Sequence, residues 1–251
     1  MSNCTLTVAG THAFASLSLI NAATLTHEPA TAGKPDNRIV LDIATDVLID
    51  PSSSINVSLK GYGHGFPGPG AGVTGPPGND WGSGGAHGGD GADGSSGAKG
   101  GRAYDSVSEP TDYGSAGGAC PSHGGLERRG GGAVHITALG TIIVHGSIVA
   151  NGDSDAAEGS DYEVGGGAGG SIWLAGALGL AGIGVIQANG GGGDQDGDSG
   201  GGGGGRIAIY GASGLFRGLI QARSSRCSFP GGAGTIYTCT WRNPHQAASG
   251  S

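Results

Sequence analysis

One phrase written several times along the chain limits its fold more than any other feature. Residues 169–191, GGSIWLAGALGLAGIGVIQANGG, hold three short apolar runs separated by glycine or alanine, with glycine at both ends. The runs are Ile172, Trp173 and Leu174, then Leu178 and Leu180, then Val185, Ile186 and Ala188. Residues 131–152, GGAVHITALGTIIVHGSIVANG, match it position for position, with Val134 on Ile172, Ile136 on Leu174, Ile142 on Leu180, Ile148 on Ile186 and Asn151 on Asn189. A third copy places Ile207, Ile209, Leu215, Ile220 and Ala222 in those slots, with one residue fewer before Ile220. An upstream copy uses Ile39, Leu41, Val47, Ile49, Ile55 and Val57, with extra residues before Ile55. Val134 and Ile172 are 38 residues apart, and Ile172 and Ile207 are 35 apart.

Short strands of period two cannot bury an apolar face alone, but stacked copies can. The expectation is an all-β parallel β-helix, or β-solenoid, of about five rungs, with residues 1–241 as one domain and 242–251 as a polar tail. An antiparallel sandwich is the competing arrangement. It would need tight hairpin turns, and it would not return three strands in fixed order to the same slots. Residues 4–28 alternate apolar with Thr and Ser and read as an incomplete first rung.

Residues 61–132 form a glycine-rich insertion, and from Gly82 to Gly100 every third residue is glycine. Three residues per turn with one bare face describes a polyproline-II-like helix. Collagen also needs abundant proline, and residues 82–100 have none. The expected arrangement is polyglycine-II-like strands packed on one another, with a flexible linker as the alternative. Shorter tracts at residues 165–170 and 200–205 recur at the same corner and can join that layer.

Composition narrows the function. Glycine accounts for 59 of 251 residues, charged residues for 13%, and the net charge is −8. No basic patch is available to neutralise phosphate, so nucleic acid is an unsuitable partner. No apolar stretch is long enough to span a membrane as a helix.

The phrases SIWL, IQANGG, GGRIAIY and GGAGTIY carry a resemblance that covers roughly residues 38–241. They resemble the glycine-rich β-helical modules of large secreted or surface proteins of environmental bacteria. The resemblance implies a right-handed parallel β-helix at the cell exterior and implies no activity.

Asp194, Asp196 and Asp198 alternate within glycine, as oxygen ligands do in calcium loops, although the pattern departs from the β-helix calcium repeat. They are weak calcium candidates; solvated loop charge is the plainer reading. No other cofactor is expected. Among four cysteines, Cys227 and Cys239 are the favoured disulfide. A polysaccharide lyase needs a base together with cations, and the outward candidates are His135, His145, Arg206 and Arg217. No convergent cluster stands out, so no catalytic residue is assigned. The function expected is therefore non-enzymatic: an extracellular or cell-surface structural protein that joins copies of itself end to end as a fibre, sheath or adhesin subunit. A lyase or glycan-binding module on a β-helix, with surface glycans as partners, is the alternative.

Overall fold

A computed structural model describes residues 1–63, 65–76, 81–119, 128–154, 164–193, 198–212 and 214–240. Among these residues the regular elements are all strands, numbered β1 to β17 in chain order, in three parallel sheets. The first sheet contains β1 (Thr5–Thr7), β4 (Thr24–Thr26), β7 (Ser54–Asn56), β10 (Ser147–Val149), β13 (Val185–Gln187) and β16 (Leu219–Gln221). The second contains β2 (Gly10–Phe14), β5 (Ile39–Ile43), β8 (Ala133–Ala138), β11 (Ser171–Gly176), β14 (Arg206–Tyr210) and β17 (Thr235–Cys239). The third contains β3 (Leu17–Leu19), β6 (Val47–Ile49), β9 (Thr141–Val144), β12 (Gly179–Gly182) and β15 (Leu215–Phe216). Each strand pairs with the strand three places along the chain, so the chain visits the sheets in rotation.

Period-two alternation sets the register. In the second sheet Ile39 pairs with Val134, Val134 with Ile172, and Ile172 with Ile207. Leu41, Ile136, Leu174 and Ile209 form the next inward column. In the first sheet Ile55, Ile148, Ile186 and Ile220 align in the same way. Most of these side chains are fully buried in one continuous core. Burying each such side chain stabilises the fold by about 1.5–3 kcal/mol. A one-residue slip would turn a whole column outward, so the apolar pattern and the register enforce each other.

Two expectations need correction. Residues 4–28 are not an incomplete rung: β1 to β4 supply all three sheets, pairing with β4, β5, β6 and β7 respectively. Leu215 does not share a slot with Leu180; it pairs with Ala181, and Phe216 pairs with Gly182. The residue missing from this copy is lost before Leu215 rather than after it. Leu215 therefore faces solvent at 70% exposure, while Phe216 turns inward at 9%. Its ring enters beside Gly182, where the preceding strand has no side chain.

Replacing Ile172 with Asp buries an unpaired charge and is expected to abolish cooperative unfolding. Leu178, 66% exposed in the same repeat, should accept Asp with a change within about 0.5 kcal/mol. Denaturant titration of the two variants distinguishes the inward column from the outer turn.

Candidate functional site

The glycine segments leave the sheets at one corner and bond to one another through their backbones. In residues 200–205, donors three apart reach the same neighbouring segment. The N–H groups of Gly200 and Gly203 donate to the carbonyls of Gly82 and Gly85, those of Gly201 and Gly204 to Phe229 and Gly232, and those of Gly202 and Gly205 to Gly191 and Ala188, at 2.7–3.0 Å. The same rule holds in the preceding segment. Gly165 and Ala168 donate to Gly118 and Ser115, Gly166 and Gly169 to Gly200 and Gly203, and Gly167 and Gly170 to Asp153 and Ala150. The amides of each segment thus reach three neighbours in turn, and its carbonyls accept from others, as Gly200 and Gly203 do from Gly166 and Gly169. Of the three segments to which residues 200–205 donate, two run in the same direction and one runs opposite.

This packing closes every side of a segment. A Cβ on Gly202 or Gly203 would stand 2.1 Å from a carbonyl oxygen, that of Gly167 or Gly89. On Gly200 it would stand 2.1 Å from the Ala92 oxygen, and on Gly205 2.2 Å from the Gly170 oxygen. The expectation of a single bare face is therefore too narrow. The triplet register holds at Gly82, Gly85, Gly88, Gly91 and Gly100, where a Cβ would meet backbone at 2.0–2.5 Å. At Gly97 the triplet has a different cause: φ is +86° with open space around the position, and its N–H donates to Gly94 in a turn.

Polar side chains fix this layer to the sheets. His87 is fully buried; its Nδ1 lies 2.9 Å from the Gly169 carbonyl and its Nε2 3.2 Å from Asp105 Oδ2. The Ser171 hydroxyl, also fully buried, donates to the Asp112 carbonyl at 2.5 Å. Burial alone would raise the Asp105 carboxyl, but the hydrogen bonds from His87 and from the Asp112 and Ser106 amides prevail and hold it at about 2. Residues 104–112 cross the outer face of the second sheet, where Arg206 Nε donates to the Tyr104 carbonyl at 2.7 Å and the Tyr210 hydroxyl to the Ser108 carbonyl at 2.9 Å.

His87, Asp105 and Ser171 do not form a hydrolytic relay. In such a relay the carboxylate and the hydroxyl occupy opposite ring nitrogens. Here both approach Nε2, the hydroxyl at 3.5 Å, and neither the His87 ring nor Ser171 has any exposed surface for a reactant to reach.

His27 is a second buried anchor. Its ring contacts Ala133, whose N–H donates to Nε2 at 3.2 Å, and Nδ1 lies 2.7 Å from the Glu28 carbonyl. Burial lowers its pKa to about 4. Asparagines join the turns beyond the first sheet: Asn189 N–H donates to Asn151 Oδ1 at 2.8 Å and Arg223 N–H to Asn189 Oδ1 at 2.9 Å.

The candidate site residues are dispersed. Asp194 and Asp196 lie outside the described residues. Asp198 accepts from Ser95, through its carbonyl at 2.8 Å and its carboxylate at 3.0 Å. Among the described residues no three His, Cys, Asp or Glu side chains gather around one point. Cys227 and Cys239 are separate free thiols. Cys227 faces the glycine layer, its thiol donating to the Phe229 carbonyl at 3.2 Å, whereas Cys239 ends β17. Arg206 lies on the outer face but is buried beneath residues 104–112, and His135 is half-buried and stacked on Trp173 at 3.8 Å between ring centres. His145 and Arg217 are exposed. The open depression beside the layer, lined by Ser154, Asn189, Gln221, Arg223 and Arg226, has no carboxylate among its described lining residues.

The remaining chemistry is at the two ends. β1, β2 and β3 bound the sheets on one side and β15, β16 and β17 on the other. Leu6 and Phe14 are 42% and 45% exposed at one end, and Leu219 and Ile236 are 43% and 47% exposed at the other. None of these six strands contains Asp, Glu, Lys or Arg.

No family model, no curated protein and no solved structure matches this chain. No helix among the described residues is long and apolar enough to cross a membrane.

Gly203→Ala should lower stability by about 1–3 kcal/mol through overpacking, whereas Gly214→Ala, with no atom near the added methyl, should change it little. Thermal melts compare the two. Because folding lowers the His27 pKa from 6.5 to about 4, its stabilising contribution is complete above pH 6.5 and is lost as pH falls toward 4. The loss is at most about 3 kcal/mol. His135, lowered by the same cause, adds in the same direction. Denaturant midpoints measured between pH 7 and 4 should show a shallower slope in His27→Gln than in the parent.

Proposed function

We propose that this chain is a non-enzymatic structural protein. It is read as a closed parallel β-solenoid of about five turns, stiffened on one corner by a polyglycine-II-like layer, and it builds an extracellular or cell-surface fibre, sheath or adhesin by joining copies end to end. The observation that carries this reading is the absence of charge from all six edge strands. Natural sheets protect their edges with lysine, proline, bulges or covering elements, because a bare edge recruits further strands. Among the described residues, the outer edges of the first and second sheets are unpaired at both ends, where exposed apolar side chains also gather; beside β3, Ser2 bridges Ile20. Joining two unlike ends does not close into a ring unless the rotation permits it, so the product is a filament. The buried placement of His87, Ser171 and Arg206 favours holding the backbone over transforming a ligand.

A glycan-binding module is the second reading. It is favoured by the outer row of His135, Trp173, Tyr210 and Tyr237, with neighbouring ring centres 3.8–6.2 Å apart. These rings are half-buried, and what remains open offers stacking surface to sugars, but part of the row is already covered by residues 104–112.

Sedimentation and negative-stain electron microscopy of the full chain test the proposal. Elongated particles whose length grows with protein concentration are expected, and deleting residues 1–10 should reduce them to single copies. Monomers at every concentration, with or without the deletion, would overturn it.

A further inference from the structure

We propose that the joint between copies continues the register of the existing sheets, with β16 of one copy against β1 of the next and β17 against β2. This inference rests on the end-to-end reading above and specifies which residues meet. The columns already present determine the pairing. Leu6 pairs with Leu25, and Leu25 continues through Ile55, Ile148 and Ile186 to Ile220. One more step places the next copy's Leu6 on Ile220. Gly10 pairs with Ile39, and that column ends at Ile236. One more step places the next copy's Gly10 on Ile236, its His12 on Thr238 and its Ala13 on Cys239.

The match is chemical as well as geometric. Leu6, 42% exposed at one end, meets the partly buried Ile220 at the other, so apolar surface covers apolar surface. Ile236, 47% exposed, meets a glycine that leaves room for it. The inward column of Leu41, Ile136, Leu174 and Ile209 is polar only at its two terminal positions, His12 and Thr238, and these are the residues that face each other across the joint. A partner with an unrelated cross-section would have to satisfy the edges of both sheets and this polar pair together; a second copy does so by construction.

The third sheet explains why the joint is not flush. It has five strands where the other two have six. A joint in this register leaves one strand position between β15 and the next copy's β3, and that copy's own Met1 and Ser2 occupy it: Ser2 bridges Ile20 in parallel, Met1 N donates to the Ser18 carbonyl at 2.6 Å, and Ile20 N–H donates to the Met1 carbonyl at 3.0 Å.

Native Cys239 makes the register directly testable. Adjacent parallel strands lie about 4.8 Å apart, within the span of about 4.4–6.8 Å that a disulfide bridges. Ala13 is exposed, so Ala13→Cys should fold normally. Thr11 lies two residues away on the same face, at a diagonal distance of about 7–8 Å, beyond disulfide reach. Both substitutions are made in the full chain carrying Cys4→Ser, which removes the exposed thiol. Equal amounts of isotopically light and heavy protein are mixed under assembly conditions and oxidised. Ala13→Cys should pass from monomer into a ladder of dimer and higher bands, with a mixed-isotope peptide linking positions 13 and 239. Thr11→Cys should not. Filaments without that linked peptide, or equal linking from position 11, would overturn this joint while leaving end-to-end assembly standing. Absence of filaments and of linked peptide in all variants overturns both.

Discussion

The interaction on which the rest of this molecule depends is the hydrogen bond from a glycine amide to a glycine carbonyl in a neighbouring segment. Those bonds satisfy a buried backbone that no sheet accommodates. They form only because a Cβ is absent: at Gly117 or Gly165 an added methyl carbon would lie within 2 Å of a neighbouring carbonyl oxygen. Glycine brings a cost, since each one loses about 0.5–1 kcal/mol more than alanine on ordering. Residues 200–205 spend six consecutive positions this way, which is reasonable only if the segment's surroundings are fixed independently. The apolar columns of the three sheets provide that support.

Layer and sheets are joined where the columns run out of bulk. Val57, Ala150, Ala188 and Ala222 continue the first sheet inward as it becomes glycine. Gly132, Gly170, Gly205 and Gly234 donate to the carbonyls of these four residues, at 2.7–2.8 Å. Small side chains at 150, 188 and 222 let the backbones approach at the corner. His27, His87 and Ser171 then bind the outer segments to the same corner from the side. Buried polar groups of this kind are worth having only when satisfied, and His87 and Ser171 find backbone partners inside the layer.

Much of the sheet register was legible in the chain because one-residue slips invert a period-two pattern, and Val134, Ile172 and Ile207 left no second alignment. Leu215 and Phe216 were not legible: both are apolar, and glycine-bounded turns do not reveal where a residue has been lost. The first turn was underrated because its strands pair Thr and Ser with few large side chains, as in Thr5–Thr7 and Thr24–Thr26. The layer announced itself through the glycine triplet, but the neighbours that successive amides reach could not be inferred from one segment, since Gly203 and its partner Gly85 stand 118 residues apart. His87 and Ser171 gave no signal in the sequence, because their partners are backbone carbonyls of distant segments, and the outward candidate Arg206 lies beneath residues 104–112. Asp198 accepts from Ser95 in the turn at residues 94–97, a contact about a hundred residues away in sequence that the spacing of the aspartates does not reveal.

The three-way bonding also limits how this chain can change length during evolution. In a helix of three residues per turn, one inserted residue rotates every later amide by a third of a turn and aims it at the wrong neighbour. Three inserted residues restore the aim and lengthen the segment by about 9 Å. Gains and losses within the layer should therefore accumulate in triplets, while the exposed turns remain free to vary by single residues.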